Sequence, residues 1–153
     1  MEIERKFIVN EKRLPFKLNR LVNYYITQSY LDTGDKSIVR IRRIKDIHGK
    51  ETYKLEFKTF GLLSREEICL NIDYGKYLEL FSICKTSLSK TRYIFPYNKF
   101  TFEIDVYEDY DFITLEVEFN SEEQANSFEP LDWFGEEITY DKKYKNNNLA
   151  KLI

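Results

Sequence analysis

The chain has 153 residues, with 24 Lys+Arg against 26 Asp+Glu for a formal net charge of −2, and it is rich in aromatics, with 12 Phe and 12 Tyr. The length suits one domain spanning residues 1–153 with a core of its own, and the aromatic load argues against disorder. The near-neutral balance argues against a partner such as duplex nucleic acid, whose binders carry a basic excess.

No run reaches the roughly 18 apolar residues that a membrane span requires. The charged start Met1-Glu2-Ile3-Glu4-Arg5-Lys6 is not a signal peptide. Cys69 and Cys84 lack metal-site or redox spacing. A reducing, cytoplasmic location is therefore expected, for a monomer or homodimer.

In chain order, period-2 alternation with β-branched and aromatic residues predicts strands at Glu2–Val9, Tyr25–Leu31, Ser37–Ile44, Thr52–Thr59, Arg65–Ile72, Ser87–Phe95, Phe100–Tyr107 and Phe112–Phe119. Helices are predicted at Glu11–Asn23 behind an Asn10 cap, with Pro15 limiting its start, and at Tyr74–Ile83 behind Asp73. A third, Glu122–Phe128, opens on the Ser121/Gln124 capping box. Turn signals fall at Thr33-Gly34-Asp35, His48-Gly49-Lys50 and Pro96-Tyr97-Asn98.

Side chains two apart on a strand share a face. In seven of these strands one face is charged and the other apolar. The charged faces gather Lys6, Arg40, Arg42, Lys54, Lys58, Arg65, Lys90 and Arg92 with an equal number of acids: Glu2, Glu4, Glu56, Glu67, Glu103, Asp105, Glu116 and Glu118. Two architectures satisfy this pattern. A sheet packs its apolar face on helices and shows its charges to water, or it closes into a barrel with the charges inside. The second requires a ligand that justifies removing so many ions from water. A polyphosphate with a divalent metal does so: carboxylates hold the hard cation, Lys and Arg the phosphate oxygens.

Glu2-Ile3-Glu4-Arg5-Lys6 is a Glu-x-Glu-x-Lys start that resembles the signature of the CYTH superfamily, the triphosphate tunnel metalloenzymes. Gln28-Ser29-Tyr30-Leu31, Val39-Arg40-Ile41-Arg42, Lys58 with Arg65-Glu66-Glu67, Lys90-Thr91-Arg92-Tyr93, Phe102 to Tyr107, and Leu115-Glu116-Val117-Glu118 match its later blocks in order. The ending Trp133 to Tyr144, continued by Asn148-Leu149-Ala150, is similar to its C-terminal block. The resemblance implies an α+β, mainly β fold: a closed eight-stranded antiparallel barrel, the tunnel, with a few flanking helices.

It further implies a triphosphatase that uses Mg²⁺ or Mn²⁺ on inorganic triphosphate, a small-molecule substrate, or on nucleoside triphosphates. The alternatives on the same fold are an adenylate cyclase, a thiamine triphosphatase or a non-catalytic polyphosphate- or nucleotide-binding module. Carried onto this chain, the metal ligands are Glu2, Glu4, Glu67, Glu116 and Glu118. The phosphate clamp is Lys6, Arg40, Arg42, Lys58, Arg65, Lys90 and Arg92, with Lys142 or Lys143, and Lys6 joins Glu4 and Glu118 in the catalytic group. One carboxylate, Glu4 or Glu118, orients or deprotonates the attacking water, or a metal lowers that water's pKa itself. Glu56 and Glu103 are expected as ion-pair partners, Asp105 as support, and Arg5 and Arg43 outside the tunnel. Cys69 stands where many members have a further Glu and is expected, like Cys84, to be a neutral packing residue. His48 is expected in a solvated turn, which leaves no Ser-His-Asp arrangement. The P-loop sequence is absent.

Overall fold

The structure is a computed structural model that describes residues 1–34 and 37–153. Ten strands form one antiparallel sheet: β1 (Glu2–Val9), β2 (Val22–Leu31), β3 (Ser37–Lys45), β4 (Glu51–Thr59), β5 (Ser64–Arg65), β6 (Glu67–Ile72), β7 (Thr86–Tyr97), β8 (Phe100–Tyr107), β9 (Ile113–Phe119) and β10 (Phe134–Glu137). Their order is β10-β1-β9-β8-β7-β2-β3-β4-β6, and β5 returns to pair with β1. That return makes a nearly closed barrel with eight positions, the eighth being the broken pair β6 and β5. The expected eight-stranded tunnel is thus the fold.

The break corrects the single strand expected at Arg65–Ile72. Glu66 leaves the ladder, its N–H bonded to Thr59 Oγ1 at 3.0 Å. Arg65 then pairs with Glu2 of β1 while Glu67 pairs with Lys58 of β4. The chain thereby bridges the two edges of the sheet. The other half of the β1 edge is covered by β10, through Phe7 and Val9. β10 was not among the expected strands.

A second correction concerns Glu11–Asn23. This segment is two 3₁₀ turns, Glu11–Arg13 and Leu18–Arg20, followed by β2 from Val22. Asn10 does cap, but only the first turn, accepting from the Lys12 N–H at 3.0 Å. The helices α1 (Tyr74–Phe81) and α2 (Glu122–Ser127) form behind the expected caps Asp73 and Ser121. A further helix, α3 (Asn146–Lys151), follows the C-terminal 3₁₀ turn Lys142–Tyr144. Pro96 and Tyr97 stay in strand, paired with Thr101 and Phe100. The ladder between β7 and β2 ends at Ile94 and Val22, so Pro96 sits where no donor is required on that side. The turn itself carries Asn98 at φ 52. Of the turn expected at Thr33-Gly34-Asp35, Asp35 lies outside the described residues.

The main apolar core lies outside the barrel. Ile3, Phe7, Phe102, Ile104, Leu115, Val117 and Phe119 point outward from β1, β8 and β9. There they meet Ala125, Phe128, Trp133 and Phe134, with Leu14, Phe16 and Leu21 packed at the edge. Trp133 and Phe134 meet edge-on, 4.7 Å between ring centroids, a favoured aromatic geometry. Arg5 also lies outside: it bonds Glu137 at 2.7 Å and the carbonyls of Ala125 and Phe128, tying β10 and α2 to β1. Arg43, likewise outside, pairs with Glu51. The coat is thinner over β4 and β6, where Phe57, Ile68 and Leu70 remain exposed beside α1.

A smaller apolar cluster narrows the barrel at its α3 end: Tyr30, Ile38, Leu88 and Tyr107 against Leu149 and Ala150 of α3. The rest of the interior is left to the charged faces. No helix is long and apolar enough to cross a membrane among the described residues.

Candidate functional site inside the barrel

Strand register brings the expected charged residues together on one continuous inner surface. Glu4 stands opposite Glu118 and Lys6 opposite Glu116 across β1 and β9. Arg40 faces Glu56 and Arg42 faces Lys54 across β3 and β4. Arg92 faces Asp105 across β7 and β8.

The interior is a chain of ion pairs. Lys58 holds Glu2 at 3.1 Å and Glu67 at 3.3 Å. Arg65 holds Glu2 at 2.8 Å and Glu4 at 3.7 Å. Glu56 takes Arg40 at 3.0 Å and Arg42 at 3.2 Å. Asp105, fully buried, takes Lys90 and Arg92, each at 2.8 Å. Arg92 continues to Glu103 at 2.9 Å and Glu116 at 3.4 Å, and Glu116 reaches Lys6 at 3.6 Å. Glu56 and Glu103 are thus the ion-pair partners they were expected to be, and Asp105 supports two bases. Lys54, which also faces inward, bonds Asn71 instead of an acid. One buried donor in this network is left without an acceptor among the described residues: Arg42 Nε.

The acids divide into two sets by how their charge is met. Against the pull of burial, a bond from the Glu67 carboxyl and the charges of Lys58 and Arg65 hold Glu2 down to about 2. Burial is likewise overcome at Glu116, where Arg92, Lys6 and Lys90 hold the carboxyl well below its ordinary range. The others move the opposite way. Burial, then the charges of Glu116 and Glu2, push Glu4 up to about 8. Burial and the bond to Glu2 push Glu67 up to about 7. Burial, then Glu2 and Glu103, raise Glu118. Glu4, Glu67 and Glu118, on β1, β6 and β9, therefore hold their protons more tightly than ordinary carboxyls, and a cation placed among them would favour their ionised forms. An all-oxygen donor set fits a hard divalent cation.

Another group of potential donors, Glu56, Glu67 and Cys69, lies within 4.8 Å of one another. It fits such a cation less well, because Arg40 and Arg42 already hold Glu56. Burial and Glu56 raise the Cys69 thiol, so it stays neutral as expected. It is not a packing residue, however: it is exposed, on the tunnel face of β6 opposite Glu56. Cys84 is partly buried and donates to the Leu80 carbonyl. His48 is exposed in its turn, beside Gly49 at φ +84.

At the centre is a chamber of about 20 Å³ lined by Glu4, Lys6, Arg40, Lys58, Arg65 and Glu116, among others. Glu118 does not line it. Toward the α3 end it opens into a vestibule of about 810 Å³, whose walls include Phe60, Lys85, Lys142 and Lys151. Lys142 therefore reaches the vestibule and not the chamber, while Lys143 is exposed beside Asp141 and over the Tyr144 ring. The C-terminal base that lines the chamber is Lys145, which the sequence reading missed. Its signal was weak, because a 3₁₀ turn running into a short helix has no period that assigns faces.

A barrel with its apolar core outside and an interior of interleaved bases and carboxylates defines a tunnel protein for highly anionic ligands. The comparisons give the family. The CYTH domain profile matches residues 1–145, and this chain belongs to that family. A relative from Nitrosomonas europaea, named inorganic triphosphatase, is 39% identical over 158 residues, covering 99% of this chain and 98% of its own. A second, from Acetivibrio thermocellus and of the same name, is 34% identical over 154 residues, covering 98% and 93%. A crystal structure described as an inorganic triphosphatase superposes with a TM-score of 0.64 at 33% identity, covering 98% of this chain and 94% of that one.

Proposed function

We propose that this protein is a metal-dependent triphosphatase that hydrolyses the terminal phosphoanhydride of inorganic triphosphate inside the barrel. The observation that carries the reading is the inverted interior: bases contributed by β1, β3, β4, β5 and β7, beside the carboxylates of β1, β6 and β9. The two relatives named as inorganic triphosphatases, matched along nearly their whole lengths, support the same substrate.

In this reading Lys6, Arg40, Arg42, Lys58, Arg65, Lys90 and Arg92 bind the phosphate oxygens. They also neutralise charge that develops as the terminal bond breaks. The free Arg42 Nε is one donor available for this without breaking an existing bond. Glu2, Glu4, Glu67, Glu116 and Glu118 form the acidic wall that would hold Mg²⁺ or Mn²⁺. The bound cation would supply electrostatic polarisation of the phosphate oxygens. Of the two candidates for orienting and deprotonating water, Glu4 is the better placed. It lines the chamber, whereas Glu118 does not.

Incubation of the purified protein with tripolyphosphate and Mg²⁺ or Mn²⁺ tests the proposal. Orthophosphate release is expected, and Arg40→Ala or Glu116→Ala should reduce it at least about 100-fold, the scale on which loss of one charge-stabilising donor acts. No release with either metal would overturn the reading. Cyclic nucleotide formed from ATP would replace it with a cyclase.

A further inference from the structure

We infer that Glu56 sets how tightly the site holds its anion: it is the counter-ion that substrate must displace from Arg40 and Arg42, and by reclaiming them it favours release of the products. This rests on the triphosphatase reading and adds to it a residue whose charge weakens binding.

The first observation is that one carboxylate serves two arginines. Arg40 and Arg42 stand two apart on the inner face of β3. Among the described residues, Glu56 is the one acid within 4 Å of either. Both guanidinium groups use the same oxygen. Glu56 Oε1 accepts from Arg40 Nε at 3.0 Å and from Arg42 Nη1 at 3.2 Å, while Oε2 accepts a long bond of 3.4 Å from Arg42. Arg42 Nε finds no acceptor. Burial and the charge of Arg40 lower the Arg42 pKa in spite of Glu56. Two buried cations thus share too little counter-charge.

The second observation is the quality of the fit. Asp105, also buried between two bases, makes three bonds of 2.8 Å to Lys90 and Arg92. Glu56 makes none so short. A planar carboxylate has two oxygens and cannot offer a pair to each of two guanidinium forks. A terminal phosphoryl group has three, in tetrahedral directions and with more charge, so it suits the donors of Arg40 and Arg42 better. Arg40 lines the chamber and Glu56 does not. An anion entering the chamber therefore reaches Arg40 from the side that Glu56 leaves open.

The third observation is that Glu56 has room to yield. It stands opposite Cys69 of β6, which is exposed, and the Glu67 carboxylate and Cys69 thiol lie within 4.8 Å of it. Against burial, Arg40, Arg42 and Lys58 hold the Glu56 pKa well below the ordinary carboxylate range. It therefore leaves the arginines by exchange with another anion and not by protonation. In the free barrel its charge keeps Arg40 and Arg42 from repelling one another. After hydrolysis the shorter products make fewer contacts than the intact chain did, and they compete less well with Glu56.

Steady-state kinetics on tripolyphosphate with Mg²⁺ test this, with folding of each variant followed by circular dichroism. Glu56→Gln keeps the size and removes the charge. Its KM should fall about tenfold, and pyrophosphate as an inhibitor should tighten by a similar factor. Glu56→Asp keeps the charge but draws it back from the guanidinium groups, so its KM should lie between the two, at least about twofold below wild type. This variant carries the test alone if Glu56→Gln does not fold. A residue that only positions the arginines gives the opposite result, because its loss weakens substrate binding. An unchanged or raised KM in folded Glu56→Gln, or a raised KM in Glu56→Asp, overturns the inference. Calorimetric titration of inorganic triphosphate into wild type and Glu56→Gln separates it from the reading beneath it. A wild-type protein that binds without turnover refutes the triphosphatase reading. Equal affinity of the two proteins refutes the role of Glu56.

Discussion

Removing Asp105 should unfold the barrel more readily than any surface charge change, because two bases depend on it. Its carboxylate is fully buried. It accepts from Lys90 Nζ at 2.8 Å, from Arg92 Nε at 2.8 Å and from Arg92 Nη2 at 2.8 Å. Arg92 and Lys90 hold its pKa down against burial, so it is ionised. Asp105→Ala leaves the Lys90 ammonium, itself fully buried, with no carboxylate. Arg92 would keep only Glu103 and Glu116. Breaking a buried pair from one side costs about 3–5 kcal/mol. In a chain of this size that lowers Tm by roughly 6–20 °C. Urea unfolding followed by circular dichroism measures it. Because the cost is that of an orphaned cation, Lys90→Met should offset part of it, giving a double variant less destabilised than the sum of the singles by about 1.5 kcal/mol or more. A loss below about 1 kcal/mol for Asp105→Ala, or strict additivity in the cycle, would refute the reasoning.

Two further outcomes follow from the acids. Glu4 and Glu67 have folded-state pKa values raised to about 8 and about 7. Between the ordinary carboxylate range and those values the folded state binds more protons than the unfolded chain, so their contribution to stability falls as pH rises. In a chelator Tm should therefore decrease from pH 6 to pH 8.5, and Mg²⁺ should raise Tm more at pH 8.5 than at pH 6; an Mg²⁺ effect independent of pH would contradict the assignment of the metal to these groups. Cys69→Glu places a carboxylate on the inner face of β6 beside Glu67, at the far edge of the acidic wall. It should lower the Mg²⁺ concentration for half-maximal activity severalfold while Cys69→Ser leaves it unchanged, as a metal titration of the initial rate would reveal.

The barrel walls were legible because seven strands alternate with a period of two, interrupted on the outer faces by the charges of Arg5 and Arg43. Glu2-Ile3-Glu4-Arg5-Lys6 and Phe102-Glu103-Ile104-Asp105 assign every inner residue once the sheet closes. Closure was legible only through the family resemblance, not from the alternation. It depends on Glu66 stepping out of line, and nothing in Arg65-Glu66-Glu67 distinguishes that step from an ordinary strand. The segment after β1 misled for a related reason. Asn10 and the charged residues behind it resemble a helix start, yet Leu14, Phe16 and Leu21 serve to cover the outer core. Their spacing answers to the barrel surface rather than to a helical face, and tertiary packing overrides the local preference. At the C-terminus, alternation ends before the residues that matter, so Lys142 and Lys143 were chosen by their motif. The chamber is lined instead by Lys145, whose place is set by the short helix that follows it.

The interior charges bear on binding in a way that their number does not suggest. A chamber of about 20 Å³ has room for about one water, far less than a triphosphate chain. The bases are already engaged by Glu2, Glu56, Asp105 and Glu116, and these contacts keep the barrel folded around ions that would otherwise be unpaired. A polyanion must therefore enter by exchange, with phosphate oxygens taking over donors that carboxylates now occupy. Its affinity is the difference between two sets of strong bonds and not their sum. The displaced acids are left with less counter-charge. A divalent cation at the acidic wall relieves this deficit as the anion relieves the bases, so each should tighten the binding of the other. The net charge of −2 conceals this arrangement, because the interior is close to neutral only while its acids and bases satisfy one another.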